Sequence, residues 1–271
     1  MDDIDRFLKE DLGSKGDITS DSLFTNETAK AKIIAKEECI VAGTEEIKKL
    51  FEKLKIKTNF FSKDGDLVKK NDTIVELNGK VKSILKAERL ALNIIGRMSG
   101  IATETKKLVD KVKKINPKAT VAATRKTTPG FRKYEKKAVI IGGGEPHRMG
   151  LYDAVMIKDN HIKSVGSVEE AIKRVKQKIH NKAIEVEVEN EEDAIITAKM
   201  NVDVIMLDNF NPEKARVVAE KIKKINKNIL IEISGGVNPN NIIDYASSAD
   251  RISLGYITHS IKAKDFSLEI I

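Results

Sequence analysis

The sequence predicts an α/β protein, an N-terminal α+β domain followed by a β/α barrel, on three observations. After residue 119, six short β-branched runs alternate with segments of helical period. The runs are almost continuously apolar, as parallel strands covered on both faces must be. Their polar residues fall at the C-terminal ends, the end at which β/α barrels gather their ligand sites. The expected division is 1–103 for the first domain and 104–256 for the barrel, with the tail 257–271 a candidate to pack back on the first domain.

In chain order, MDDIDRFLKEDLG is an acidic amphipathic helix, residues 29–43 alternate as strands do, and 45–54 return to helical spacing. Residues 64–80 form short strands broken by Asp-Gly, Asn-Asp and Asn-Gly turns. A long helical pattern from Ser83 to Ile115, with interruptions expected near Gly96 and Gly100, joins the two parts. The barrel runs are 119–126, 153–160, 183–190, 203–209, 229–236 and 250–256, with amphipathic helices such as 167–179, 191–200 and 238–246 between them.

Composition narrows the functional class. A chain of 271 residues with 41% hydrophobic positions buries one sizeable core, or a large core with a smaller partner domain. No apolar run approaches the roughly 20 residues of a membrane helix, and the N-terminus is unlike a signal peptide, so a cytoplasmic protein without membrane partners is expected. Cys39, the single cysteine, has no disulfide partner and no metal-ligand pattern around it, which leaves packing within a strand. A net charge of +8 attracts anions of any kind. With 4% aromatics and no tryptophan there is little to stack nucleobases, and many lysines lie on solvated helix faces, so no nucleic-acid partner is expected.

Residues 123–151 carry Arg125, Lys126, Arg132, His147 and Arg148 around the triple glycine 142–144, a floor of forked and point cations for carboxylate or phosphate. Lys158 ends the next run. Glu187 and Asp208 end the two after it and suit sugar hydroxyls or an oxygen-preferring divalent cation, although each alone also fits a surface carboxylate or a helix cap. Ser234-Gly235-Gly236 and Gly255 close the last two runs, where glycine turns in barrels cradle phosphate. His161 and His259 are expected to cap or pack, and His180 to sit at a helix end.

These segments resemble the quinolinate phosphoribosyltransferase family, nicotinate-nucleotide pyrophosphorylase (carboxylating). The resemblance rests on GDITSDSLF, ERLALNIIGRMSGIAT, ATRKTTPGFR, GGGEPHRMGLYDAVMIKDNHI, VEVEN, DVIMLDN, EISGGV and RISLGYITHS, in order along nearly the whole chain. It implies an incomplete β/α barrel, Mg²⁺ as cofactor, quinolinate and phosphoribosyl pyrophosphate as substrates, and a homodimer open to further assembly. Quinolinate would be held by Arg125, Lys126, His147, Arg148 and Lys158, with Arg89 arriving from the partner subunit. Glu187 and Asp208 would serve the ribose hydroxyls and the metal, directly or through water or substrate, and Ser234, Gly235, Gly236 and Gly255 the phosphate. Lys126, Lys158, Glu187 and Asp208 would carry the catalysis.

The family pattern usually places Asn before the His-Arg pair, whereas here Glu145-Pro146 stand before His147-Arg148, so the loop is expected to differ in shape. A molybdate-transport-associated relative with a similar Pro-His-Arg, a nicotinate-specific transferase and a non-catalytic basic binding protein are the rival readings. Lys158 within IKDNH and the crowd of cations favour the dicarboxylate enzyme.

Overall fold

The computed structural model describes residues 2–271, which divide into two units. The first comprises the chain up to Glu104 together with Ile140–Gly142 and Ile261–Ile271; the second holds Thr105–Val139 and Gly143–Ser260.

In the first unit, α1 (Asp3–Leu12) starts at Asp2, whose carboxylate accepts the Ile4 amide, and buries Ile4 and Leu8 one turn apart. Then come α2 (Ile18–Leu23), β1 (Thr28–Ala35), β2 (Cys39–Ile40), α3 (Thr44–Lys53), β3 (Lys57–Phe60), β4 (Leu67–Val68), β5 (Thr73–Lys80) and α4 (Val81–Ile115), which runs on into the second unit. Late in the chain, β12 (Phe266–Ile270) pairs antiparallel with β1, giving a four-stranded sheet in the order β12-β1-β5-β3. Cys39 is buried in β2, which pairs with β4. Ile33, Ile47, Leu50, Phe51 and Ile74 form the sheet-and-helix core.

The α4 helix is continuous, contrary to the interruptions expected at Gly96 and Gly100. A Cβ on Gly96 would stand 2.7 Å from the Lys264 carbonyl oxygen, and one on Gly100 would overlap that of Lys262. The Lys264 amide donates to the Gly96 carbonyl at 2.9 Å. These glycines make room for the returning chain rather than breaking the helix.

The second unit contains β6 (Thr120–Ala122), α5 (Arg132–Ile141), β7 (Val155–Ile157), α6 (Asp159–Val165), α7 (Val168–Lys178), β8 (Ile184–Val188), α8 (Glu191–Lys199), β9 (Val204–Asp208), α9 (Pro212–Ile225), β10 (Leu230–Ser234), α10 (Ile242–Tyr245), β11 (Arg251–Ser253) and α11 (Tyr256–His259). All six strands are parallel, in the order β6-β11-β10-β9-β8-β7. First beside last is the cyclic order of a barrel. Glu145 adds one parallel bridge to Ala122 on the free side of β6, and β7 pairs only with β8 among the described residues. The barrel is therefore incomplete, open between residue 145 and β7. Asn190 and Asn211 cap α8 and α9, so β8 and β9 pass through capped turns into their helices, and Ser167 caps α7 after α6.

Candidate active site

Strand alternation sets the inner lining of the barrel. Met156 and Lys158, Glu185 and Glu187, Met206 and Asp208, and Glu232 and Ser234 are pairs two residues apart at the ends of four consecutive strands. The outer members of these pairs, with Arg125, Lys126 and Arg148 from the loops beyond β6 and residue 145, line a cleft of about 710 Å³. His147, Gly235, Gly236 and Gly255 also face it. Of the substrate, metal and catalytic residues that the family resemblance implies, only Arg89 is outside; it is exposed on α4 in the first unit.

One wall is cationic. Arg125 and Lys126 are exposed, while the half-buried Arg148 guanidinium meets, among the described residues, only the Met156 thioether at 2.9 Å and the Ala154 carbonyl at 3.5 Å. None of the three makes an ion pair among the described residues. Burial lowers the Arg148 pKa, yet a guanidinium keeps its charge, so this fork is unneutralised at the cleft surface.

The opposite wall is acidic. Lys158 Nζ lies 2.6 Å from Glu187 Oε2. Asp208 is held by the Asn209 side-chain amide at 2.7 Å, and burial, followed by the negative charge of Glu187, raises its carboxyl pKa. The negative charge of Glu187 beside the Asp208 carboxyl suits a hard cation bound between the two. His147, Glu185 and Glu232 also bring three ligand atoms within 4.8 Å of one another, but Arg251 already neutralises Glu232 at 3.0 Å, leaving less need for a metal there.

Between the walls, Gly235 (φ +77°) and Gly236 (φ +65°) turn the chain away from β10. A Cβ on Gly235 would stand 2.6 Å from Asp208 Oδ1, whereas one on Gly236 would meet nothing within 4 Å, so the turn presents bare backbone to the cleft. At Gly255 a Cβ would strike the His259 ring at 2.8 Å and Lys126 Cδ at 2.9 Å. His259 thus packs at the cleft edge, and His161 caps α6 by accepting the Lys158 amide at Nδ1, 3.0 Å away.

Two parts of the expected cationic floor serve other ends. Arg132 opens α5, an unanticipated helix, and donates to Thr127 Oγ1 and the Met149 carbonyl, both at 2.9 Å, rather than facing the cleft. Of the triple glycine, Gly143 takes φ +84° and Gly144 has no space for a Cβ between Thr105, Val121 and Val139, so the run ends α5 and packs. Glu185, Glu232, Arg251 and Lys136 were not singled out from the sequence, and Glu145 only as part of the Glu145-Pro146 departure from the family pattern. Glu at inward positions of otherwise apolar strands, as in IEVEV and LIEIS, is the signal that marks the first two.

An open parallel barrel whose mouth sets unpaired cations against paired carboxylates defines a protein that binds small, multiply charged anions. The family model for the quinolinate phosphoribosyl transferase N-terminal domain matches residues 17–99, and that for its C-terminal domain matches 101–269. A probable nicotinate-nucleotide pyrophosphorylase (carboxylating) of Archaeoglobus fulgidus is 47% identical over 94% of this chain and 98% of its own length. One of the same description from Bacillus subtilis is 42% identical over 98% and 92%. The crystal structure of the nicotinate-nucleotide pyrophosphorylase of Ehrlichia chaffeensis superposes with a TM-score of 0.93 at 39% identity, covering 99% of this chain and 97% of that one. The chain belongs to the quinolinate phosphoribosyl transferase family.

Proposed function

We propose that the protein transfers the ribosyl 5-phosphate group of phosphoribosyl pyrophosphate to the nitrogen of quinolinate, yielding nicotinate mononucleotide, pyrophosphate and carbon dioxide in NAD synthesis. The observation that carries this reading is the half-buried, unneutralised Arg148 set with Arg125 and Lys126 across the cleft from Glu187 and Asp208. A dicarboxylate has two negative charges to place, and bidentate forks are the groups that orient them. Support also comes from the family's match to nearly the whole chain.

In the proposed reaction the pyridine nitrogen bonds to the anomeric carbon as the bond to pyrophosphate breaks with its electron pair. Glu187 and Asp208 orient the ribose hydroxyls, the 235–236 turn and Gly255 receive the 5-phosphate, and Lys126 and Lys158 offset charge growing on the leaving group. The quaternised ring then holds the electron pair left on carbon 2 when the neighbouring carboxylate departs, and that carbon takes up a proton. Glu187 and Asp208 would hold Mg²⁺, directly or through water or substrate; when bound it supplies charge neutralisation on pyrophosphate. We further propose a homodimer in which Arg89 of one copy reaches the dicarboxylate in the other, and a cytoplasmic location. No helix among the described residues is long and apolar enough to cross a membrane.

The test is product release from purified protein given phosphoribosyl pyrophosphate, Mg²⁺ and either quinolinate or nicotinate. Matched carbon dioxide and pyrophosphate with quinolinate alone are expected. Pyrophosphate with nicotinate alone would reassign the substrate, and no product with either would sink the enzymatic reading.

A further inference from the structure

Beneath the cleft lies a buried polar unit that the proposed reaction does not use. His147 has φ +53°, a left-handed backbone that a β-carbon normally avoids at a cost of about 1–2 kcal/mol. Its ring points down into the barrel. Nε2 stands 3.4 Å from Glu185 Oε2 and 3.3 Å from Glu232 Oε2, and Nδ1 faces the Arg148 amide at 2.9 Å. The imidazole, with a side-chain exposure of 8%, has both ring nitrogens engaged beneath the cleft it lines.

The same unit grips the loop at a second point. Arg251 joins Glu232 at 3.0 Å through one guanidinium nitrogen and Glu145 at 2.9 Å through another, so the residues on either side of Pro146 share one anchor. Lys136, itself buried, donates to the carbonyls of Pro146 and Arg148. Pro146 has no amide to satisfy. Every strong interaction of residues 145–147 therefore runs to the framework, and Arg148, the next residue, is the one whose charge faces the cleft.

We propose that Glu232, Arg251 and Glu145 are positioning residues for the dicarboxylate site: by fixing His147 in its left-handed conformation they aim the Arg148 guanidinium into the cleft. This deepens the proposed activity and rests on it for the identity of the ligand. The claim about the loop stands on the geometry alone.

The experiment pairs kinetics with amide hydrogen exchange on Glu232→Gln, an isosteric change, and on the more exposed Glu145→Gln. Each is expected to lower kcat/KM for quinolinate about tenfold while the KM for phosphoribosyl pyrophosphate stays within about twofold, as mispositioning of one anchor group predicts. Exchange in residues 145–150 of the substrate-free protein should quicken about tenfold. Equal losses for both substrates, or unchanged exchange in both variants, would overturn the proposal. If the unaltered protein shows no turnover of quinolinate, the assigned activity falls while the exchange result still decides the loop claim. Should Glu232→Gln not fold, Glu145→Gln carries both readouts.

Discussion

Arg148 holds a delocalised charge beside a thioether and a single carbonyl, so removing it deletes a charged donor without leaving a carboxylate stranded. Arg148→Met is expected to cost about 1.5–3 kcal/mol of transition-state binding, or roughly 10- to 150-fold in kcat/KM for the dicarboxylate, with little change in thermal stability. His147 has the opposite profile. Burial disfavours its charged form, but hydrogen bonds and charge from Glu185 and Glu232 outweigh burial and raise its pKa from 6.5 to about 9. A raised pKa gives stability that is fully present below pH 6.5 and is lost as pH climbs through 9. The stability advantage over His147→Gln, measured by urea unfolding, should therefore shrink across that window, by about 3 kcal/mol at most. Arg125, Lys126 and Lys158 were legible in the sequence because each follows a strand end, and Arg148 because it stands in the same cluster of cations. The anchoring carboxylates were not, since a Glu inside a strand declares a partner only once the barrel brings β8, β10 and residue 147 together.

At the scale of elements, all six barrel strands were legible because their apolar runs alternate with segments of helical period. The helix α5 was not: its sequence RKYEKKAVII, flanked by Gly130 and the 142–144 glycines, reads as basic loop until Tyr134, Lys136, Ala138 and Val139 are seen to be buried. The two glycines of α4 misled in the other direction, since propensity makes them breaks whereas they are a groove for residues 262–264. Gly100→Ala should gain helix propensity and still lose about 1–3 kcal/mol to overpacking, seen as a lower urea midpoint with an unchanged slope. A stabilised variant would refute the groove.

For the whole molecule, a net charge of +8 and a cationic wall confront two anionic substrates. Raising ionic strength from about 0.01 to 0.15 M shrinks the screening length from roughly 30 to 8 Å, and kcat/KM is expected to fall several-fold while kcat holds. Inverse dependence, or none, would remove steering from the account. The proposed dimer has a sharper test. Arg89→Ala and Lys158→Met should each be inactive alone, and mixing them after dissociation should restore about a quarter of full activity, because half the dimers are mixed and each has one intact site. No recovery despite proven subunit exchange would overturn the site shared between subunits. Finally, β12 follows the entire barrel in the chain yet completes the sheet begun by β1, and residues 262–264 fill the α4 groove. During synthesis, therefore, the first unit must wait on the ribosome with an unpaired strand edge and an open groove until the barrel's residues have emerged, so it is the last part to close and the part most in need of protection from aggregation in the meantime.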